Sequence, residues 1–160
     1  REVVRFGGHS GLRINWGKSM ALPLTTTTRH TQSDFPLHWT MDPIRYLWIR
    51  IHIDPQRVIH ENYEKALMSL QASVARWIKL PLSMYGRIAI IKMTVLPRFL
   101  FLFTNIPILL TRAFFAKLRT LLVQLVWAGR QPRVRWEILT LPYERGGCVP
   151  PTWKHIIKQQ

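Results

Sequence analysis

The sequence predicts an α+β chain in two parts, a small β-containing region over 1–54 and a helical bundle with its connector over 55–160. Three observations predict it. The first third holds short β-like stretches, Leu12–Trp16 and Ile44–Ile53, among glycine and threonine runs and turn residues. The remainder carries three apolar periods of helical spacing, each with its own start and stop signals. Finally, Asp and Glu are absent from Lys65 to Trp136 while Lys and Arg recur throughout that stretch, so the charges of these helices are of one sign.

Taken in order, Arg1–Phe6 is compatible with the end of a helix and too short to assign. Gly7-Gly8 and Gly146-Gly147 are expected in turns, and the Thr25–Thr28 run and the Ser33-Asp34 region in a loop. Read as one strand, "IRYLWIRIHI" sends Ile44, Tyr46, Trp48, Arg50 and His52 to one side and Arg45, Leu47, Ile49, Ile51 and Ile53 to the other. The second side is mostly core; the first mixes aromatic rings with a cation suited to a sugar-phosphate edge.

Asp54-Pro55 then supplies an N-cap followed by proline at the first helical position, where a missing N–H costs nothing. In the helix that follows, Ile59, Tyr63, Ala66, Leu67, Leu70, Val74, Trp77 and Ile78 share one side, Glu61 precedes Lys65 by one turn, and the end is expected before Pro81. Ser83 caps a second helix that must bend at Pro97, where an interior proline removes a hydrogen bond and crowds the preceding turn. Thr111 caps a third, with Phe114, Phe115, Leu118, Leu121, Leu122, Leu125 and Val126 inward, Arg112 and Arg119 outward, and Gly129 closing it in left-handed geometry.

Gly86–Leu110 is oily enough to cross a bilayer, yet it carries Arg87, Lys92 and Arg98. Burying cations in lipid costs about 2.5–3.5 kcal/mol each near a helix centre on insertion scales. A helix packed between two amphipathic neighbours avoids that cost, so no transmembrane span is expected. Arg87, Ile91, Thr94 and Arg98 then form one strip that looks outward.

The charge balance narrows the partner. Lys and Arg number 23 against 8 Asp and Glu, a formal net charge of +15, which implies a polyanion, nucleic acid before an acidic membrane surface. Cys148 is the only cysteine, so no disulfide forms within the chain, no thiolate cluster holds zinc, and a reducing, intracellular compartment (nucleus or cytoplasm) is expected. The six histidines lack metal-ligand spacing, no Walker-type loop is present, and Cys148 has no nucleophile signature. Asp34, Asp42 and Asp54 stand apart in sequence, whereas phosphoryl transfer by a polymerase needs metal ions held by closely placed carboxylates. The first residue is Arg1 and no secretory-signal pattern follows, so the sequence is expected to begin inside a longer reading frame.

Several motifs occur in one order: "SGLRINWGKS" (Ser10–Ser19), "IRYLWIRI" (Ile44–Ile51), Trp77 followed by "LPLSMYGRIAIIKMTVLPRFLFLFTNIPI" (Leu80–Ile108), "FF" (Phe114–Phe115), "VWAG" (Val126–Gly129) and "GGCVPP" (Gly146–Pro151). Their order and spacing resemble the C-terminal part of the reverse transcriptase of LINE-type, non-LTR retrotransposons, over almost the whole chain. The resemblance implies a palm remnant with primer-grip strands over 1–54 and a helical thumb with its connector over 55–160. Lys18 would match the late palm lysine that approaches the incoming nucleotide and assists pyrophosphate departure; a solvated lysine in a turn is the alternative. "IRYLWI" would match the primer-grip hairpin, in which the family usually has glycine where this chain has Trp48.

The thumb would grasp a template–primer duplex, RNA–DNA or RNA, by its backbone. Arg45, Tyr46, Trp48 and Arg50 in the grip and Arg87, Arg98, Arg112, Arg119, Arg130, Arg133 and Arg135 in the thumb are the expected contacts. Trp136 docks the connector or stacks on a base. No catalytic residue beyond an auxiliary Lys18 is expected, and no cofactor: Mg2+ belongs to an intact parent polymerase whose upstream palm and fingers carry the aspartate pair lacking here. A membrane-associated basic protein and a translated retroelement relic without a role of its own are the alternatives.

Overall fold

Residues 2–23 and 37–148 are described by the computed structural model of the chain. It is α+β, 58% helical with two small two-stranded sheets, and it divides into two compact units between Val58 and Ile59. The Thr25–Thr28 run and the Ser33-Asp34 region lie outside the described residues.

In the first unit, α1 (Glu2–Ser10) runs through the two glycines expected in a turn. Glu2 in its first turn and His9 in its last suit the helix dipole, and the Ser10 hydroxyl donates to the Phe6 carbonyl at 2.8 Å. Gly7 is needed for a different reason: a Cβ there would meet the Leu12 carbonyl oxygen at 2.7 Å as the chain folds back. Leu12–Trp16 is accordingly not a strand. It leads into a 3-10 turn, Trp16–Lys18, closed by Asn15, whose side-chain oxygen accepts from the Lys18 N–H at 3.2 Å. Beyond it β1 (Met20–Ala21) pairs in parallel with β2 (His38–Trp39), Met20 opposite His38.

The expected single strand over Ile44–Ile53 is folded in half. β3 (Ile44–Tyr46) pairs antiparallel with β4 (Ile49–Ile51), and Leu47 and Trp48 make the two-residue turn at φ 45° and 72°. Positive φ at both central positions is the hairpin geometry whose twist matches its strands. It usually recruits Asn-Gly, and the absence of those residues hides it from the sequence.

Asp54 opens the helical run as expected, its carboxylate accepting from the Gln56 N–H at 2.9 Å. α2 (Pro55–Val58) passes through a π-turn, Ile59–Glu64, into α3 (Lys65–Trp77), which ends before Pro81. The wider turn brings the adjacent residues Asn62 and Tyr63 both inside. Ser83 caps α4 (Met84–Ile90) through the Gly86 N–H at 3.2 Å. A second π-turn, Ile91–Val95, then precedes α5 (Leu96–Asn105). Pro97 offers no N–H and would crowd the carbonyl four residues back, so the extra residue of the π-turn absorbs it. Thr111 caps α6 (Arg112–Val126), accepting from the Phe114 N–H at 3.3 Å. The short α7 (Trp136–Leu139) follows a connector.

The closure of α6 uses two left-handed residues, the expected Gly129 and Ala128 before it. Ala128 stands at φ 52° and Gly129 at φ 73°; the Ala128 N–H reaches the Leu125 carbonyl at 3.2 Å and the Gly129 N–H the Gln124 carbonyl at 2.9 Å. These are the two bonds of a Schellman closure, with Ala128 as its first left-handed residue and Gly129 following it.

The second unit packs α3 and α4 against α6. Tyr63, Leu70 and Val74 meet Ile88, Ile91, Val95, Phe99 and Leu102 and the α6 stripe of Phe114, Phe115, Leu118, Leu122, Leu125 and Val126, all buried. At about 1.5–3 kcal/mol per large apolar side chain removed from water, this stripe is what holds the helices together. Rings of Tyr63, Phe99, Phe103, Phe114 and Phe115 interlock at centroid distances of 5.5–6.3 Å. Ile91, placed on the outward strip by a constant helical period, is 0% exposed. The π-turn adds one residue and rotates the following face by about 100°. Arg87 and Ile91 therefore turn toward the core, while Thr94 and Arg98, beyond the shift, remain exposed. The run Met84–Asn105 is the one described helix long and apolar enough to cross a membrane.

Candidate nucleic-acid interface

Lys18 is exposed at the end of its 3-10 turn. In the hairpin, folding the strand in half rearranges the faces. Arg45 and Arg50, assigned to opposite sides of a single strand, are cross-strand partners and share one face; Tyr46 sits opposite Ile49 on the other. Like charges placed directly opposite repel, and the turn relieves part of this: the Arg45 guanidinium lies 4.1 Å from the centroid of the Trp48 ring. Trp48 is 83% exposed. The Trp48 indole thus stands at a left-handed position and stacks on an arginine.

The expected thumb cations fall into three groups. Arg87 is half-buried and turned onto the end of α6, its Nη1 donating to the Val126 carbonyl at 3.4 Å while the buried Nε finds no acceptor among the described residues. A cation at a helix C-terminus is favourable by about 0.3–1 kcal/mol. Arg87 therefore serves the fold and leaves the outward strip to Arg98, whose Nη1 donates to the Ser69 hydroxyl of α3 at 3.0 Å. Arg112, at the first position of α6, and Arg133 are exposed.

Arg119, Arg130 and Arg135 come together. They line one cleft of about 440 Å³ between the second half of α6 and the connector that leads into α7, with Val123, Val134 and Leu139 among its apolar walls. All three arginines are exposed, and three like charges lining one cleft make its field positive. Trp136 is 8% exposed, so its ring docks the connector on the core.

The same cleft holds the residue that sequence reasoning missed. Glu137 follows the carboxylate-free stretch directly, and its Oε1 accepts from Arg119 Nη2 at 3.0 Å. The arginines of the stretch are therefore not all unopposed. A hydrogen bond from its own backbone N–H, and then the charges of Arg119 and Arg135, hold the Glu137 carboxyl below the usual carboxylate range. Both partners stay open to water, Arg119 at 44% and Glu137 at 62% exposure, so this is an exchangeable surface pair rather than a structural one. Eighteen residues separate the two, which hides the pairing from local patterns.

Among the described residues no three His, Cys, Asp or Glu side chains come together. Cys148 is half-buried. No protein-family model matches the chain.

Proposed function

We propose that this chain binds the sugar-phosphate backbone of an RNA or RNA–DNA duplex through its helical part, in the manner of the thumb of a LINE-type reverse transcriptase, and does not polymerise by itself. The observation that carries this reading is the convergence of Arg119, Arg130 and Arg135 on one cleft in a chain of net charge +15. Contacts of this kind position a duplex and carry little sequence information. Arg98 and Arg112, exposed outside the cleft, are further phosphate contacts in this reading, and the hairpin with Arg45, Tyr46, Trp48 and Arg50 is a second contact region, with Lys18 auxiliary. The paired aspartates and Mg2+ of a polymerase would come from upstream palm and fingers of the same family. In this reading Met84–Asn105 is a bundle helix rather than a transmembrane span, and the protein works inside the cell, in nucleus or cytoplasm.

Filter binding of a mixed-sequence RNA–DNA hybrid across a salt series tests it. The expected plot of log K against log salt falls with a slope of about −0.9 per phosphate contacted. A flat plot contradicts the proposal.

One observation favours a second reading, a membrane-associated basic protein: Tyr85, Met93 and Phe101 project exposed from the apolar run Met84–Asn105. Flotation with anionic liposomes that persists in high salt and is lost when Tyr85 and Met93 become Ser would support it. Flotation that salt abolishes leaves only a charge interaction.

A further inference from the structure

The three arginines do not line the cleft alone. It contains one carboxylate, and that carboxylate occupies one of them: Arg119 Nη2 to Glu137 Oε1 is 3.0 Å, inside the same walls that Arg130 and Arg135 line. A carboxylate and a phosphodiester oxygen pair present the same acceptor geometry to a guanidinium, so the two compete for one donor fork. Glu137 is also tethered. It lies in the first turn of α7, whose Trp136 and Leu139 are buried, so its position beside Arg119 is fixed by the fold rather than found by a wandering chain. Trp127 lines the same cleft, and its buried indole N–H meets no acceptor among the described residues.

We propose that Glu137 is a built-in competitor for the nucleic-acid backbone: it holds Arg119 in the free protein and yields it when a phosphodiester enters between Arg119, Arg130 and Arg135. This rests on the duplex-binding reading above and assigns the specific anion site within it. The pair is exposed, so it is weak enough to open. The competition sets the affinity and prevents the cleft from closing on any passing anion. Glu137 lines the cleft and acts on the ligand by holding Arg119, which makes it a positioning residue.

The test is a double-mutant cycle on the full chain, with a mixed-sequence RNA–DNA hybrid as the probe. Glu137→Gln keeps the size and a hydrogen-bonding oxygen while removing the charge. It is expected to tighten hybrid binding about threefold to tenfold, because one competing charge-assisted bond is gone. Glu64→Gln makes the same change of net charge on the π-turn, outside this cleft, and is expected to change affinity less than twofold. Arg119→Gln is expected to weaken binding more in the Glu137→Gln background than in the unmodified chain, since only there is Arg119 fully available. Equal effects of Glu137→Gln and Glu64→Gln overturn the competitor while leaving duplex binding standing. Arg119→Gln losses that are the same in both backgrounds also overturn it. A chain that does not bind the hybrid at all overturns this proposal together with the reading it rests on.

Discussion

The single hydroxyl hydrogen of Tyr63 is shared between two backbone carbonyls at the end of α5, that of Leu102 at 3.0 Å and that of Ile106 at 3.2 Å. It ties the π-turn before α3 to the helix end across the core, and it does so from a side chain that is 0% exposed. Each carbonyl also accepts a backbone N–H, that of Leu102 from Ile106 at 3.0 Å and that of Ile106 from Ile108 at 2.9 Å, so the hydroxyl adds a second bond that fastens this turn to the core.

Tyr63→Phe is therefore expected to lower stability by about 1 kcal/mol, through the loss of this hydrogen bond rather than by creating a cavity. The pH response is the sharper check. Burial pushes the Tyr63 phenol up to about 12 from the ordinary 10.0. Its contribution is fully present below the unfolded value and is lost as pH rises through the folded one, because in between the unfolded chain has released a proton that the native chain keeps. Urea unfolding at pH 8 and pH 11.5 is expected to show a fall of about 2 kcal/mol that Tyr63→Phe lacks. The same fall in both proteins contradicts it.

Ala128→Gly is expected to stabilise the chain. Ala128 holds φ 52° at the closure of α6, a region that costs a residue with a Cβ about 1 kcal/mol and costs glycine nothing. A rise in thermal midpoint is the predicted result; a fall would mean that the Ala128 methyl group contributes packing that outweighs the strain.

The hairpin turn makes a comparable prediction with an opposing effect. Trp48 at φ 72° is relieved by glycine, but Trp48→Gly also removes the ring beneath Arg45. The strain relief of about 1 kcal/mol and the cation–π contact of about 0.5–1 kcal/mol nearly cancel. Changing Leu47 and Trp48 together to Asn-Gly relieves both positions and is expected to slow hydrogen exchange in β3 and β4. Exchange that quickens contradicts the turn geometry.

Arg87 and Arg98 separate structure from binding. Arg87→Met removes a half-buried cap on Val126 and is expected to destabilise by about 1 kcal/mol, while Arg98→Gln, exposed on α5, is expected to stay within about 0.5 kcal/mol. Chemical denaturation of the two variants checks the order; equal effects would return Arg87 to the outward strip.

The α+β class, the caps at Asp54, Ser83 and Thr111 and the apolar stripe of α6 were legible because each rests on chemistry within a few residues: a side-chain oxygen meeting an N–H one turn on, or a period of 3.6 kept without interruption. Ile91 and Arg87 were misplaced because the π-turn Ile91–Val95 interrupts that period, and nothing in "IIKMTVLP" announces the extra residue except the proline that follows it. The strand that proved to be a hairpin lacked the Asn-Gly signature, since its turn uses Leu47 and Trp48. In the cleft the arginines were legible as a run without carboxylates. Their companion Glu137 was not, because the pairing is made by folding across eighteen residues.

The most direct measurement of the central claim is the salt dependence of hybrid binding for the chain in which Arg119, Arg130 and Arg135 are changed together to Gln. If these three hold phosphates, the slope of log K against log salt becomes shallower by about 0.9 for each phosphate no longer held, and affinity falls at every salt concentration. An unaltered slope and affinity would mean that the duplex, if bound, is held elsewhere.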